Sequence, residues 1–180
     1  MTTIIFKETK KGDVKVAYDS QVSYGSRREE GEFEKVFVNN GNVFGVAGAL
    51  RDSNILKYAP LPAIPDEEWD VDKWVVTALI PAMKDALDLR NASHYRNNEL
   101  ETDSHILVAV RGRVYEIGSD MSSFRNTDGV YAIGSGSNFV AAALMAGAKL
   151  DQALQIAAEL DSGTGYGLKL TSTARLLGGE

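Results

Sequence analysis

The sequence predicts an α+β fold: two antiparallel β-sheets face each other and helices cover their outer faces, a four-layer αββα sandwich. Three observations lead there. Strand-like segments come first, then helical ones, then strands, helices and a last strand, a segregated order unlike the alternation of a parallel βαβ sheet. The early strands come in turn-linked pairs. The 180 residues, 44% of them hydrophobic, suit one domain over 1–180 with a sizeable core, and neither an internal repeat nor an interdomain linker is visible.

The elements follow in order. Residues 3–9 are strand-like and β-branched at their start, and Lys10-Lys11-Gly12-Asp13 is turn chemistry. Residues 14–19 alternate as a half-buried strand does. A polar loop over 23–31 carries Arg27, Arg28, Glu29 and Glu30, and 32–38 is a third strand. Asn39-Asn40-Gly41-Asn42 contains Asn-Gly, a strong hairpin signal, before a fourth strand over 43–48. A short helical segment over 52–58 ends at Pro60, Pro62 and Pro65. Asp66-Glu67-Glu68 then opens a long helical pattern to about Leu89, with acids in the first turn complementing the helix dipole and Pro81 kinking or restarting it.

Residues 90–104 are polar and show no element. The stretch 106–110 is continuously apolar, so it is expected to be covered on both faces, and Arg111-Gly112-Arg113 turns it into a strand over 114–117. Residues 130–133 form another buried strand. Two helices follow, 137–148 and 150–161, the first apolar nearly all round and therefore expected inside the molecule. A last strand over 168–171 precedes a loose end at Gly178-Gly179.

Composition excludes several classes of function. The net charge of −6 and pI of about 5.0 recommend neither nucleic acid nor an anionic membrane as partner. The absence of cysteine excludes disulfides, thiolate catalysis and sulfur-based zinc sites, and His94 and His105 alone make a weak metal site. No signal peptide is visible, and the longest apolar run, 139–148, is too short for a bilayer span of about 20 residues, so the expected location is cytoplasmic.

Five positions break the pattern. Met1-Thr2-Thr3 leads directly into a strand, and removal of Met1 would make Thr2 the first residue. A terminal threonine carries a hydroxyl that can attack and an α-amine, titrating near pH ~8, that can take its proton. Lys35 stands between Phe33 and Phe37 on one strand face, which is costly unless its ammonium is paired or its stem snorkels to water. Asp19 closes the second strand, as a turn residue or as the partner of Lys35. Asp161 falls where the stripe Leu150, Ala153, Leu154, Ala157 would continue, as a local cap or as a buried carboxylate. Gly134-Ser135-Gly136-Ser137 sits between a buried strand and a helix like a phosphate cradle, but it lacks the third glycine and the Gly-Lys-Ser/Thr of nucleotide loops.

Together, Met1-Thr2-Thr3-Ile4, Asp19-Ser20-Gln21, Glu34-Lys35-Val36-Phe37, Val46-Ala47-Gly48, Ala132-Ile133-Gly134-Ser135-Gly136 and residues 153–164 resemble the proteasome β-subunit family of N-terminal-nucleophile (Ntn) hydrolases, most closely its HslV-like branch. The resemblance covers residues 2 to about 50 and 130–167 well and the middle poorly, and the first hairpin is one residue longer than usual. It implies the Ntn hydrolase fold and a threonine-type endopeptidase. Thr2 would be the nucleophile, Asp19 and Lys35 the paired acid and lysine, and Gly48 the oxyanion donor. Ser135, Asp161 and Thr164 would be supporting groups. A pocket of Val22, Phe33, Val46 and Leu50 would favour a hydrophobic residue before the cut.

The resemblance requires no cofactor. It allows a structural sodium or magnesium ion on the carbonyls of Ala158, Asp161 and Thr164. It implies a homo-oligomer, ring-forming and self-compartmentalising, acting on unfolded proteins or peptides and fed by an ATP-dependent unfoldase. The alternatives are a catalytically silent proteasome-like scaffolding protein and a small-molecule amidase.

Overall fold

The computed structural model describes residues 2–24, 27–31, 33–65, 70–90, 93–96 and 99–179. The chain opens with β1 (Thr3–Glu8) and β2 (Val14–Tyr18), then β3 (Gln21–Tyr24) and β4 (Arg27–Glu30), then β5 (Val36–Asn39) and β6 (Asn42–Ala47). Helix α1 (Leu50–Tyr58) follows, then α2 (Val71–Trp74), a π-helical stretch Val75–Leu79 and α3 (Ile80–Asp88). Next come β7 (Ser93–Arg96), β8 (Glu99–Thr102), β9 (His105–Val110), β10 (Arg113–Ile117), β11 (Ser123–Phe124) and β12 (Val130–Gly134). Helices α4 (Ser137–Met145) and α5 (Leu150–Leu160) precede β13 (Lys169–Ser172) and the short α6 (Thr173–Leu176).

Two antiparallel sheets carry the fold, in the orders β12-β1-β2-β13 and β11-β10-β9-β6-β5. The pleat explains the layers, because alternate side chains leave opposite faces. From β1, Ile4 and Phe6 enter the core between the sheets with Val16, Val43, Leu107 and Val114. Ile5 points the other way, onto Val140, Ala153, Leu154 and Ala157 of α4 and α5. From β9, Leu107 and Ala109 join the inter-sheet core, whereas Ile106, Val108 and Val110 meet Leu56, Trp74, Leu79 and Met83 of the other helical layer. The predicted αββα layering and the two-sided burial of 106–110 are therefore present.

Several expectations need correction. The loop over 23–31 is largely the hairpin β3–β4, and the polar stretch 90–104 contains the hairpin β7–β8. Their polar residues hid the strand pattern. The third strand begins at Val36 rather than at residue 32. Helix 52–58 begins two residues earlier, at Leu50. The start expected at Asp66-Glu67-Glu68 lies outside the described residues; α2 begins after Asp70, whose carboxylate accepts the N–H groups of Asp72 and Lys73. The restart at Pro81 is real: proline has no N–H to donate, and the turn before it widens to a π-helix.

The largest correction concerns α4. Apolar nearly all round, it nonetheless lies on the outside, with only Val140 and Ala143 buried. Met145 is 90% exposed and Phe139 36%. No helix among the described residues is long and apolar enough to cross a membrane.

Phe37 and Phe44 face each other across β5–β6, with ring centroids 5.5 Å apart and nearly parallel planes. Phe44 is fully buried. Phe44→Ala should lower the unfolding free energy by about 3–5 kcal/mol, read by denaturant titration; a loss under about 1 kcal/mol would contradict this packing.

Candidate active site

The buried start of β1, the end of β2 and the residue preceding β5 meet at one end of the inter-sheet space. The backbone delivers each group. The Asp19 N–H donates to the Thr3 carbonyl at 3.3 Å, extending the β1–β2 ladder, and the Val46 N–H donates to the Lys35 carbonyl at 3.0 Å, extending β5–β6. Thr2, Asp19 and Lys35 are all buried. Thr2 Oγ1 donates to Asp19 Oδ1 at 2.5 Å, and Lys35 Nζ donates to Thr2 Oγ1 at 2.6 Å and to Asp19 Oδ2 at 2.9 Å. Of the two readings of Lys35, the paired ammonium is the observed one; its side chain is 5% exposed, so it does not snorkel.

Three backbone N–H groups complete the Asp19 shell: Thr3 to Oδ1 at 2.8 Å, Gln21 to Oδ2 at 3.1 Å and Gly165 to Oδ2 at 3.2 Å. Burial holds the Lys35 ammonium below the ordinary lysine range, and the Asp19 charge and hydrogen bond push back. A donor this close to Thr2 Oγ1 favours a developing alkoxide there.

A second network lies on the other side of β1. Thr3 Oγ1, one pleat from Thr2, is 2.5 Å from Thr164 Oγ1. Thr164 Oγ1 and Ser135 Oγ each donate to Asp161 Oδ2 at 2.6 Å, and the Gly163 N–H donates to Oδ1 at 3.0 Å. Ser135 Oγ is also 3.4 Å from the Thr2 carbonyl. Asp161 is the C-cap of α5, so it is both a local cap and a member of this network. Burial opposes its ionisation, yet the three hydrogen bonds outweigh that and hold its carboxyl below the usual range. Gly134 explains the glycine-rich segment: its φ is +97° and a Cβ there would lie 2.1 Å from the Thr2 carbonyl oxygen, so the glycine admits the β1 backbone.

A cavity of about 220 Å³ opens beside Thr2 and Lys35, lined by Val22, Phe33, Val46 and Leu50, the four expected pocket residues, together with Gln21, Ser23, Gly48, Ala49 and Ser53. Larger grooves elsewhere share no residue with it. Gly48 has φ +146°, and a Cβ there would meet the Asp103 carbonyl oxygen at 2.3 Å. No acceptor among the described residues takes the Gly48 N–H. Of the three carbonyls expected to hold an ion, that of Asp161 accepts the Thr164 N–H at 3.1 Å. Among the described residues no cluster of three or more His, Cys, Asp or Glu side chains could hold a metal.

Sequence reasoning missed Thr3, the Gln21 and Gly165 N–H groups, and Ser53, whose buried Oγ lacks a partner among the described residues. It also missed Ser104, which binds Asp52 at 2.8 Å. Backbone donors leave no residue-type signal; Thr3 alone carried one, as the strand residue next to Thr2.

No protein-family model matches the chain, and no curated protein matches it. Solved structures do. Thiobacillus denitrificans BPH superposes with a TM-score of 0.75 at 18% identity, covering 96% of this chain and 97% of that one. The same protein in complex with epoxomicin gives 0.74 at 18% identity, covering 94% and 97%. The eukaryotic HslV from Trypanosoma brucei gives 0.64 at 21% identity, covering 94% and 98%. The chain therefore has the proteasome-like Ntn hydrolase fold.

The lowered pKa of Asp161 has a definite sign. Its stabilising share is fully present above the unfolded value of about 3.9 and is lost as pH falls through the lower folded value. Asp161→Asn should melt below the parent protein near pH 6, and the gap should narrow as the pH falls below the unfolded carboxylate value and close once it passes the lower folded one. A gap in Tm independent of pH would show that the carboxylate's charge plays no part.

Proposed function

We propose that this chain is a threonine-type endopeptidase of the proteasome β-subunit and HslV-like kind. One observation carries the reading: a buried threonine hydroxyl, one residue from the chain start, lies 2.6 Å from a lysine ammonium paired with a buried carboxylate. With Met1 attached, the Thr2 nitrogen is an amide and cannot act as a base. Once Met1 is removed, the α-amine takes the Oγ1 proton as Oγ1 bonds to the substrate carbonyl carbon. The adjacent Lys35 charge keeps that amine neutral near pH 7 and stabilises the alkoxide. Asp19 offsets the cost of burying Lys35.

The Gly48 N–H takes the tetrahedral oxyanion, worth roughly 3 kcal/mol for one donor. The ammonium then returns its proton to the leaving nitrogen as the C–N bond breaks. Water, deprotonated by the same amine, hydrolyses the Thr2 ester and regenerates the hydroxyl. Ser135, Asp161 and Thr164 hold the Thr2 backbone and amine in orientation. The apolar walls Val22, Phe33, Val46 and Leu50 suit a hydrophobic residue before the cut. No step uses an ion; a sodium or magnesium on the 158–164 loop is a structural addition to the proposal.

The reading extends to a single domain acting as a cytoplasmic homo-oligomer on peptides or unfolded chains. The exposed apolar residues Phe139, Met145, Ile156 and Leu160 on α4 and α5 support self-association. Ring closure and an ATP-dependent unfoldase rest on the resemblance alone. The rival, a silent scaffold, is what retention of Met1 would leave.

Intact mass should show loss of one methionine, and epoxomicin, the compound bound in the BPH structure, should add once at Thr2. Full retention of Met1 with no labelling sinks the peptidase reading. Thr2→Ala should abolish hydrolysis of fluorogenic peptides while leaving the circular dichroism spectrum unchanged. Lys35→Ala should cut kcat at least about a hundredfold. It should cost about 3 kcal/mol of stability, the low end for a broken buried pair, because Asp19 keeps its three N–H donors. Unchanged turnover in either variant contradicts the mechanism.

Met145→Glu with Leu160→Glu should reduce the mass found by light scattering toward the 19.5 kDa protomer. An unchanged assembly would remove α4 and α5 from the interface.

A further inference from the structure

The residues bonded to Ala49, next to Gly48, form a buried polar cluster outside the Thr2 networks. Asp52 and Ser104 are both fully buried. Ser104 Oγ donates to Asp52 Oδ2 at 2.8 Å and accepts the Ala49 N–H at 3.0 Å. The Asp52 N–H in turn donates to the Ala49 carbonyl at 3.1 Å. Ala49 is thereby gripped at both its N–H and its carbonyl, directly after Gly48, and both residues line the cavity beside Thr2.

Helix α1 starts at this point without an ordinary cap. Its N-cap is Ala49, which has no side chain that could accept a hydrogen bond. The N–H of Ala49 itself is taken from outside the helix, by Ser104 in the loop between β8 and β9, itself held where Thr102 Oγ1 donates to the Ser104 carbonyl at 3.2 Å. The same loop closes over Gly48: a Cβ there would lie 2.5 Å from Ser104 Oγ. A buried carboxylate is an expensive way to start a helix, and burial raises the Asp52 pKa despite hydrogen bonds from Ser104 and Arg51. In a capping box the side chain three residues on takes the N-cap N–H directly; here Asp52 holds that place and reaches the Ala49 N–H through Ser104 Oγ. What the Asp52–Ser104 pair adds is a fixed direction for the peptide that precedes Ala49.

We infer that Asp52 and Ser104 are positioning residues that clamp the Gly48–Ala49 turn and aim the Gly48 N–H at the carbonyl oxygen of a substrate bound to Thr2. The inference rests on the peptidase reading for its kinetic consequence and on geometry for the clamp itself. Because the clamp acts on the transition-state oxyanion, its loss lowers kcat rather than raising KM.

The test compares Ser104→Ala, Asp52→Ala and Asp52→Asn with the parent protein, by peptide hydrolysis and by amide hydrogen exchange at Ala49. Ser104→Ala should lose at least about tenfold in kcat with KM within about twofold, and its Ala49 amide should exchange faster. Asp52→Asn keeps an acceptor for Ser104 and should recover most of what Asp52→Ala loses. A Ser104→Ala protein with parental kcat overturns the inference while leaving the peptidase intact. If the parent itself shows no turnover, the peptidase reading fails and exchange decides the clamp: faster exchange at Ala49 upholds it, and unchanged exchange overturns it.

Discussion

The ion pair between Lys35 and Asp19 is the constraint around which the rest of this molecule is arranged. Two opposite charges with almost no solvent contact are at best neutral for stability compared with an apolar core, unless their remaining hydrogen-bonding capacity is filled. Here it is filled from three further places in the chain: Thr2 and Thr3, Gln21, and Gly165 beyond α5. The pair therefore requires β1, β2, the approach to β5 and the loop after α5 to converge. It makes the position of Thr2 a consequence of satisfying a carboxylate.

The pleat of β1 divides the labour around that centre. Thr2 falls on the face of Ile4 and Phe6, toward the inter-sheet space, and meets Asp19 and Lys35. Thr3 falls on the face of Ile5, toward α4 and α5, and meets Thr164 in the Asp161 network. Adjacent residues thus tie the start of the chain to two separate polar clusters. Thr2 and Thr3 consequently have little freedom, which is the condition under which a proposed nucleophile would keep its orientation between turnovers.

How much of this was legible varies with the physics behind each signal. Apart from the two-residue β11, which the sequence did not show, the strands of the two main sheets were legible because one or both of their faces meet a core, which writes itself as alternation or as a continuous apolar run. The hairpins β3–β4 and β7–β8 were not, because all four residues of Arg27–Glu30 are charged and exposed and residues 93–102 are largely polar, leaving no continuous apolar face to read. Helix α4 misled for the opposite reason. Periodicity reports which residues avoid water; it does not say whether another part of the same chain covers them, and here Met145 and Phe139 remain outside. Ser104 was invisible, since a serine in a polar stretch carries no mark of its partner Asp52, more than fifty residues away along the chain.

By itself the sequence determined the sandwich of two antiparallel sheets, the conflict between Lys35 and its apolar neighbours, and a threonine at position 2 that leads straight into a strand. Those features depend on residue type and local order, and both are written in the chain. Only the tertiary structure decided that Lys35 is buried and paired, that Asp161 is held by Ser135 and Thr164, and that Ser104 takes the Ala49 N–H next to Gly48. Each of these rests on distances between segments far apart in sequence and on backbone N–H groups that every residue but proline carries. Neither leaves a trace in composition or spacing, so the folded chain alone could supply them.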